Sequence, residues 1–254
     1  MKSSITAFAI LLSSITLAVF AAEKKTNLND IPSDIVVPKM IEGKPAAGKR
    51  VKHNWPEENN TAIHHALYLP ENRVYGSYEE MILKEKELPE GERMDFVTIV
   101  TPNHVHFPAA KMALEHGFHV VSDKPATLNL AEAKALKKVI EDSGLMYCLT
   151  HNYTGYPMIK QARQMVQEGM IGKVRKVYVE YPQGWLYKLL ETENNKQAEW
   201  RTDPKRNGLA GCMGDIGTHA FNMVEYVTGE KVSQICADLY IKIEGRPIDD
   251  DGVV

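Results

Sequence analysis

Two residues capable of acid–base chemistry, Asp215 and His219, stand four positions apart at the end of a glycine-rich stretch, residues 208–217. The pattern predicts a helix from about residue 215 to 227, and side chains four apart in a helix project from the same face. Imidazole titrates near neutral pH, so a histidine held by a carboxylate is suited to taking a proton from an alcohol. Taken alone, the spacing favours the simpler alternative that Asp215 caps the helix and His219 belongs to the core.

Three polar segments form a second group of candidates, because each follows a predicted strand. They are residues 101–104, 123–125 and 151–153. Ligands of an open parallel sheet bind outside the carboxyl ends of its strands, so these segments are expected to share one edge. An alternative remains open for each of them, since a proline can simply end a strand and an asparagine or aspartate can cap the next helix.

The elements that would position these segments follow from hydrophobic periodicity. Short β-branched runs predict strands over residues 95–101, 119–122 and 145–150. Helical spacing predicts helices over residues 105–116 and 129–143, each followed by a glycine that is suited to a helix C-terminus. Strand–helix–strand–helix–strand with short links predicts an α/β fold with a parallel sheet.

The pattern changes after residue 153. A helix is predicted over residues 158–168, and residues 173–181 then alternate polar and apolar side chains. Such alternation is typical of an antiparallel sheet with one face in water. Residues 234–243 are also strand-like, and another strand begins within residues 249–254. The second part of the chain is therefore predicted to be an α+β domain with a mostly antiparallel sheet.

The N-terminus has the layout of a secretory leader. Lys2 precedes an apolar stretch, and Val19 and Ala21 permit cleavage before Ala22. The competing interpretation is a membrane anchor over residues 5–22, which is short of the roughly 20 apolar residues that a span needs. We therefore expect export to the periplasm or the medium, with no stable membrane span after cleavage.

These patterns predict four regions. They are a signal peptide over residues 1–21, an unmatched linker or foreign segment over 22–72, an α/β domain over 73–153, and an α+β domain over 154–254. The linker contains five of the chain's 13 prolines, and alternation predicts one strand in it, over residues 61–69.

Composition excludes several functions. The net charge is −3 and the isoelectric point is about 6.3, so no basic surface indicates binding to nucleic acid or anionic lipid. The three cysteines are far apart and have neither disulfide-framework nor zinc-ligand spacing. His104 and His106 lack carboxylates in register, so no metal site is expected.

Five motifs in order carry a family resemblance. They are TPNHVH (101–106), DKP (123–125), HNYTGYP (151–157), WRTDP (200–204) and GDIGTHAFN (214–222). Together they resemble the Gfo/Idh/MocA family, which includes glucose–fructose oxidoreductase and inositol dehydrogenase. The sequence departs from the family at Asp123, where glutamate is more common. The resemblance implies a partial Rossmann-type NAD(P)-binding domain, over residues 73–153, followed by a Gfo/Idh/MocA C-terminal-type substrate domain.

The resemblance also implies an activity, which is hydride transfer between a nicotinamide cofactor and a sugar or polyol hydroxyl. Lys124 would hydrogen-bond the reacting oxygen, His219 would act as general base, and Asp215 would orient the substrate and His219. Asn152 and Tyr153 would contact the substrate. The cofactor side would be formed by Thr101, Pro102, Asn103, His106, Asp123, Lys124, Trp200 and Arg201.

One family feature is absent from the sequence. No G-x-G-x-x-G turn, whose backbone amides would cradle the pyrophosphate, occurs anywhere in the chain. The resemblance also implies that the second domain continues through more strands than this chain contains. We therefore expect a chain that is incomplete at both ends and whose binding of NAD or NADP is impaired. Two alternatives stay open, an NAD-dependent glycoside hydrolase on the same scaffold and an inactive fusion or fragment. The sheet of the second domain is also a candidate surface for a homo-oligomer.

Overall fold

The computed structural model of the protein describes residues 5–12, 15–22 and 71–254. The strands are β1 (Ile5–Leu12), β2 (Ile15–Ala22), β3 (Phe96–Ile99), β4 (His119–Asp123), β5 (Tyr147–Thr150), β6 (Lys176–Glu180), β7 (Asp238–Tyr240) and β8 (Asp251–Val253). The α-helices are α1 (Tyr78–Lys86), α2 (Asn103–Glu115), α3 (Leu130–Ser143), α4 (Pro157–Gln167), α5 (Lys196–Arg201), α6 (Pro204–Asn207) and α7 (Thr218–Thr228).

The first sheet is parallel, as predicted, in the order β3-β4-β5. Phe96 pairs with His119 and Val120 pairs with Tyr147, so the strands run in register to their carboxyl ends. Each crossover between neighbouring strands contains a helix. Helix α2 connects β3 to β4, and α3 connects β4 to β5. The segments that follow the three strands therefore lie at one edge of the sheet.

Local capping explains where the crossover helices begin and end. The side chain of Asn129 accepts a hydrogen bond from the backbone N–H of Glu132, which satisfies one free donor at the start of α3. Gly144 ends α3 in the left-handed conformation, at φ 64°, which costs glycine little. Gly117, at φ 89°, follows α2 in the same way.

The chain divides into two compact units. One contains residues 71–151, 184–218 and 235–254 of the described chain, and its core forms where α1, α2 and α3 cover the parallel sheet. Phe118 and Val120 are almost fully buried in this core. The other unit contains residues 5–12, 15–22, 152–183 and 219–234 of the described chain, and a small core of Ile159, Ala162, Met223 and Val227 joins α4 to α7.

The antiparallel prediction for residues 173–181 is confirmed, with an unexpected partner. Strand β6 pairs antiparallel with β2, and β2 pairs antiparallel with β1. These two strands come from the segment predicted to be a leader, and that leader stays a prediction. Among the described residues, no helix combines the length and the apolar character needed to cross a membrane.

Two elements differ from their predictions. The helix predicted from residue 215 begins instead as a π-helical turn, Met213–Gly217, and α7 follows at Thr218. A side chain at position 217 would come within 3.0 Å of the sulfur of Met213, so glycine permits this close turn. The strand predicted over residues 234–243 is reduced to β7, which pairs antiparallel with β8 in a separate ribbon. The strand predicted over residues 61–69 lies outside the described residues.

A buried carboxylate in α1 is hydrogen-bonded to the segment that precedes this helix and to the segment that follows it. Glu85 is fully buried and accepts hydrogen bonds from the Arg73 guanidinium at 2.5 Å, the Tyr75 hydroxyl at 2.6 Å and the Met94 backbone N–H at 2.8 Å. Burial alone would raise the pKa of Glu85, but the hydrogen bonds from Tyr75, Arg73 and Met94 outweigh it and lower the pKa. The charged form is therefore the stable one in the folded protein.

We predict that Glu85→Gln lowers the free energy of unfolding by about 3 kcal/mol at pH 7, because it leaves the Arg73 guanidinium, whose side chain is only 19% exposed, without its counter-ion. A pKa that is lower in the folded state contributes stability at neutral pH and loses it as the pH falls through that pKa. The difference between the two proteins should therefore shrink in acid. Urea unfolding at several pH values measures it, and equal stabilities at pH 7 would contradict the prediction.

Candidate functional site

An ion pair joins two of the sequence-predicted residues across 91 positions of the chain. Lys124 follows the carboxyl end of β4, and its Nζ donates to the Asp215 backbone carbonyl at 2.5 Å and to the Asp215 carboxylate. The two side chains are 11% and 20% exposed, so each charge is largely compensated by the other. The parallel sheet presents the lysine, and the π-helical turn presents the aspartate.

A second cation faces the same carboxylate. Arg201, at the end of α5, places its Nε 3.7 Å from Asp215 Oδ2. Its guanidinium lies 4.1 Å from the ring centre of Trp200 and 5.7 Å from that of Trp185. Burial lowers the pKa of Arg201, while the carboxylates of Asp215 and Asp123 act in the opposite direction. Trp185 was not among the sequence-predicted residues, since no motif or periodic pattern marks it.

The turn after β4 is tied to the neighbouring strand. Asp123 accepts a hydrogen bond from the backbone N–H of Lys124 at 2.9 Å and from the Thr150 hydroxyl at 3.2 Å. His151 follows Thr150 directly; burial first, and then the nearby Lys124 ammonium, lower its pKa. A neutral imidazole therefore stands close to Lys124 at neutral pH. The sequence marked His151 by its position after β5 and by the HNYTGYP motif, without assigning it a role.

Two predicted cofactor residues after β3 are engaged within the protein. Asn103 is buried, and its Nδ2 donates to the backbone carbonyl and to the side-chain oxygen of Asn207, each at 3.0 Å. His106 is also buried, with one ring nitrogen 2.6 Å from the Pro125 carbonyl oxygen and the other 2.9 Å from that of Thr101. His106 thus joins the turn after β3 to the turn after β4.

The neighbouring residues of that segment are placed differently. Pro102 occupies the N-cap position of α2. The hydroxyl of Thr101 is buried and has no hydrogen-bond partner in the described part of the chain. A buried hydroxyl without a partner costs free energy, so this atom is suited to a polar group supplied by a ligand.

The other unit holds the remaining candidates. His219 lies in the first turn of α7, is buried, and contacts the Tyr153 ring near edge-on at 4.3 Å between ring centres. The hydroxyl of Tyr153 lies 2.7 Å from the hydroxyl of Tyr181. Asn152 begins the short 3₁₀ turn that carries Tyr153, and its side chain is exposed. The sequence did not single out Tyr181, although it continues the apolar alternation of β6.

Comparison with known proteins identifies the family. Residues 56–151 match the model of the oxidoreductase family with an NAD-binding Rossmann fold, and residues 159–254 match that of the GFO/IDH/MocA C-terminal domain. The chain belongs to the Gfo/Idh/MocA oxidoreductase family. The resemblance carried by the five motifs is thereby confirmed, and so is the NAD-binding Rossmann class of the parallel sheet. The first match begins inside the segment for which the sequence offered no assignment.

Individual relatives agree with this membership. An uncharacterized oxidoreductase of Bacillus subtilis is 30% identical over 72% of this chain and 46% of its own. Levoglucosan dehydrogenase of Pseudarthrobacter phenanthrenivorans is 32% identical over 61% of this chain and 38% of its own. The crystal structure of an inositol dehydrogenase homologue from Azotobacter vinelandii, complexed with NAD⁺, has a TM-score of 0.72 and 29% identity. That likeness covers 76% of this chain and 49% of the other. This chain therefore spans less than half the length of these relatives.

The role of His106 is testable without any activity. We predict that His106→Ala destabilises the protein by about 2–4 kcal/mol, because it opens a cavity and leaves two carbonyl oxygens without their contact. His116→Ala is the matched control, since the His116 ring contacts the Met112 carbonyl within its own helix. The control should cost less than about 1 kcal/mol. Thermal unfolding of both variants measures the difference, and similar costs would contradict a joining role for His106.

Proposed function

We propose that the protein is an NAD(P)-dependent oxidoreductase that transfers hydride between a nicotinamide cofactor and a sugar or polyol hydroxyl. The observation that carries this proposal is the ion pair between Lys124 and Asp215. It brings together the DKP motif and the GDIGTH motif, which are far apart in sequence. The relatives support the proposal, since one is a levoglucosan dehydrogenase and another is an inositol dehydrogenase homologue complexed with NAD⁺.

The residues at the sheet edge fit the nicotinamide end of the cofactor. The Thr101 hydroxyl, which has no partner among the described residues, and the Lys124 ammonium offer polar groups there, and Arg201 adds a second cation. NAD or NADP, when bound, supplies the hydride acceptor. Because the sequence lacks the glycine-rich turn for the pyrophosphate, we propose that affinity is weak. A titration of NADH fluorescence tests this, and tight saturable binding would overturn the view that the turn matters.

The proposal assigns a role to each residue of the site. Lys124 donates a hydrogen bond to the reacting oxygen, and Asp215 holds the ammonium of Lys124 in place. His219 takes the hydroxyl proton, and the ring of Tyr153 fixes the plane of its imidazole. Tyr153 and Asn152 contact the substrate.

We predict that Lys124→Ala and His219→Ala each lower kcat by at least about 100-fold, the usual contribution of a positioned acid–base group. The affinity for NADH should change little in the His219 variant. Formation of NADH, followed by absorbance over a panel of sugars and polyols, measures the rates. Lys137→Ala is the control, because Lys137 is 71% exposed and pairs with Glu141 on the same helix. Parental rates in both site variants would refute the assignment.

The hydrolase alternative is not favoured, because the relatives with a named activity that are described above are dehydrogenases. The two activities give different products. Release of a sugar without net formation of NADH would support the hydrolase, whereas formation of NADH in proportion to the oxidised sugar supports the dehydrogenase.

We also propose that residues 1–21 direct export. The support is the sequence pattern of Lys2, an apolar stretch and small residues before Ala22. Expression of the full chain with a C-terminal tag, followed by cell fractionation and N-terminal sequencing, tests it. We expect the exported form to begin at Ala22. Retention of Met1 on all of the protein would refute cleavage, and recovery of that form in the membrane fraction would favour an anchor.

A further inference from the structure

A buried carboxylate near the end of the chain holds the turn that leads to Asp215. Asp249 is 8% exposed, and its Oδ1 accepts a hydrogen bond from the Gly211 backbone N–H at 2.6 Å. Its Oδ2 accepts from the Met213 backbone N–H at 2.9 Å and lies 3.2 Å from the Cys212 sulfur. One side chain thus satisfies consecutive donors of a turn 36 to 38 residues earlier in the chain.

The backbone of Asp249 adds a further contact. The carbonyl oxygen of Asp249 accepts a hydrogen bond from the Cys212 N–H at 2.9 Å. The approach is so close that a side-chain carbon at position 211 would overlap this carbonyl. Glycine at 211 is therefore required by the contact with Asp249 and not by a positive φ angle.

The peptide between Gly211 and Cys212 is also hydrogen-bonded to Asp215, which pairs with Lys124. The carbonyl of Gly211 accepts a hydrogen bond from the Asp215 backbone N–H at 3.0 Å. The peptide between Gly211 and Cys212 is consequently fixed from both sides, by Asp249 and by Asp215. Asp215 in turn receives the Lys124 ammonium on both its backbone carbonyl and its carboxylate. An unbroken series of hydrogen bonds therefore connects Asp249 to Lys124.

We propose that Asp249 is a positioning residue for this series. Its carboxylate fixes the backbone of residues 211–213 and thereby sets where Asp215 meets Lys124. The catalytic consequence rests on the proposed function, whereas the structural coupling does not. Within the described part of the chain, the hydrogen bonds of Asp249 go to the turn and not to the proposed reacting groups, so it acts through the turn. Asp249 is the first residue of the acidic run at 249–251, and through this contact it orders the site.

Asp249→Asn is the most direct test. An amide has only one acceptor oxygen, so one of the two backbone N–H groups would face an NH₂ group. Modification of Lys124 by an amine-reactive acetylating reagent, mapped by mass spectrometry, reports the consequence without any enzymatic activity. We expect Lys124 to be acetylated about tenfold faster in the variant, since loss of local order exposes groups that are otherwise protected. Lys137 and Lys138, at 71% and 74% exposed, should react at unchanged rates.

Two control variants separate positioning from general loss of stability. Glu85→Gln removes another buried carboxylate, whose hydrogen-bond partners Arg73, Tyr75 and Met94 lie outside the Asp215 turn. It should leave Lys124 protected. Cys212→Ala removes the thiol that faces Asp249 but keeps both backbone bonds, so it should also leave Lys124 protected. An equal rise in Glu85→Gln, or no rise in Asp249→Asn, would overturn the proposal.

Cys212 gives a second readout of the same contact. Burial and the adjacent Asp249 carboxylate raise the pKa of its thiol to about 12. With the exposed Cys148 and Cys236 replaced by serine, alkylation of Cys212 at pH 8 should be slow, and about tenfold faster in Asp249→Asn for each pKa unit lost. If Cys212 is alkylated at the same rate in Asp249→Asn, its contact with the Asp249 carboxylate is contradicted. If the variant does not fold, amide hydrogen exchange of the parental protein tests the bonds to Asp249 instead. Slow exchange of the Gly211 and Met213 N–H groups supports these bonds, and rapid exchange would refute them.

The kinetic readout separates this proposal from the proposed function. Where the parental chain oxidises a sugar, Asp249→Asn should lower kcat about tenfold and leave the Kd for NADH unchanged. Parental kcat in this variant would overturn the positioning role. Where the parental chain oxidises no sugar, the proposed function fails, and the acetylation of Lys124 still decides whether Asp249 positions the pair.

Discussion

The negative charge of the Asp215 carboxylate has to be compensated, and this requirement brings together three segments of the unit that contains the parallel sheet. Lys124, Arg201 and Asp215 come from the end of a strand, the end of a helix and a π-helical turn. Removing such charges from water costs several kcal/mol each unless an opposite charge stands close by. The three segments are therefore held close together by their opposite charges. This contact fixes the conformation of the loops that carry them.

The π-helical turn satisfies this constraint at the cost of local regularity. An α-helix starting at Asp215 would give its residues ordinary i to i−4 hydrogen bonds, whereas the turn over Met213–Gly217 is wider. Glycines at 214 and 217 weaken the preference for an α-helix, and Gly217 leaves room for the Met213 side chain. The turn also supplies backbone donors to Asp249, so its irregular shape is compensated by contacts from elsewhere in the chain.

Local signals predicted much of the fold because their causes are local. Helix α3 begins after Asn129 and ends at Gly144, as capping and glycine conformation require. Strands β3 and β5 lie within the predicted apolar runs, and β4 extends one residue beyond its run to Asp123, since runs of apolar and β-branched residues favour a packed strand. The partner of β6 was not predictable, because alternation indicates that a strand has one wet face and does not specify which strand pairs with it. Asn103 and His106 show a similar limit, since a motif marks a residue without showing whether it faces a ligand or joins two turns.

The sequence by itself determined the family, the order of strands and helices in the Rossmann-type part, and the residue types available for proton and hydride chemistry. These properties depend on neighbouring residues and on motifs that are continuous in the chain. Tertiary structure decided which of those residues meet. Lys124 reaches Asp215 across 91 positions, and Asp249 reaches Gly211 across 38. Such pairings depend on burial and on the satisfaction of charges and hydrogen bonds in the folded chain, which no local pattern encodes.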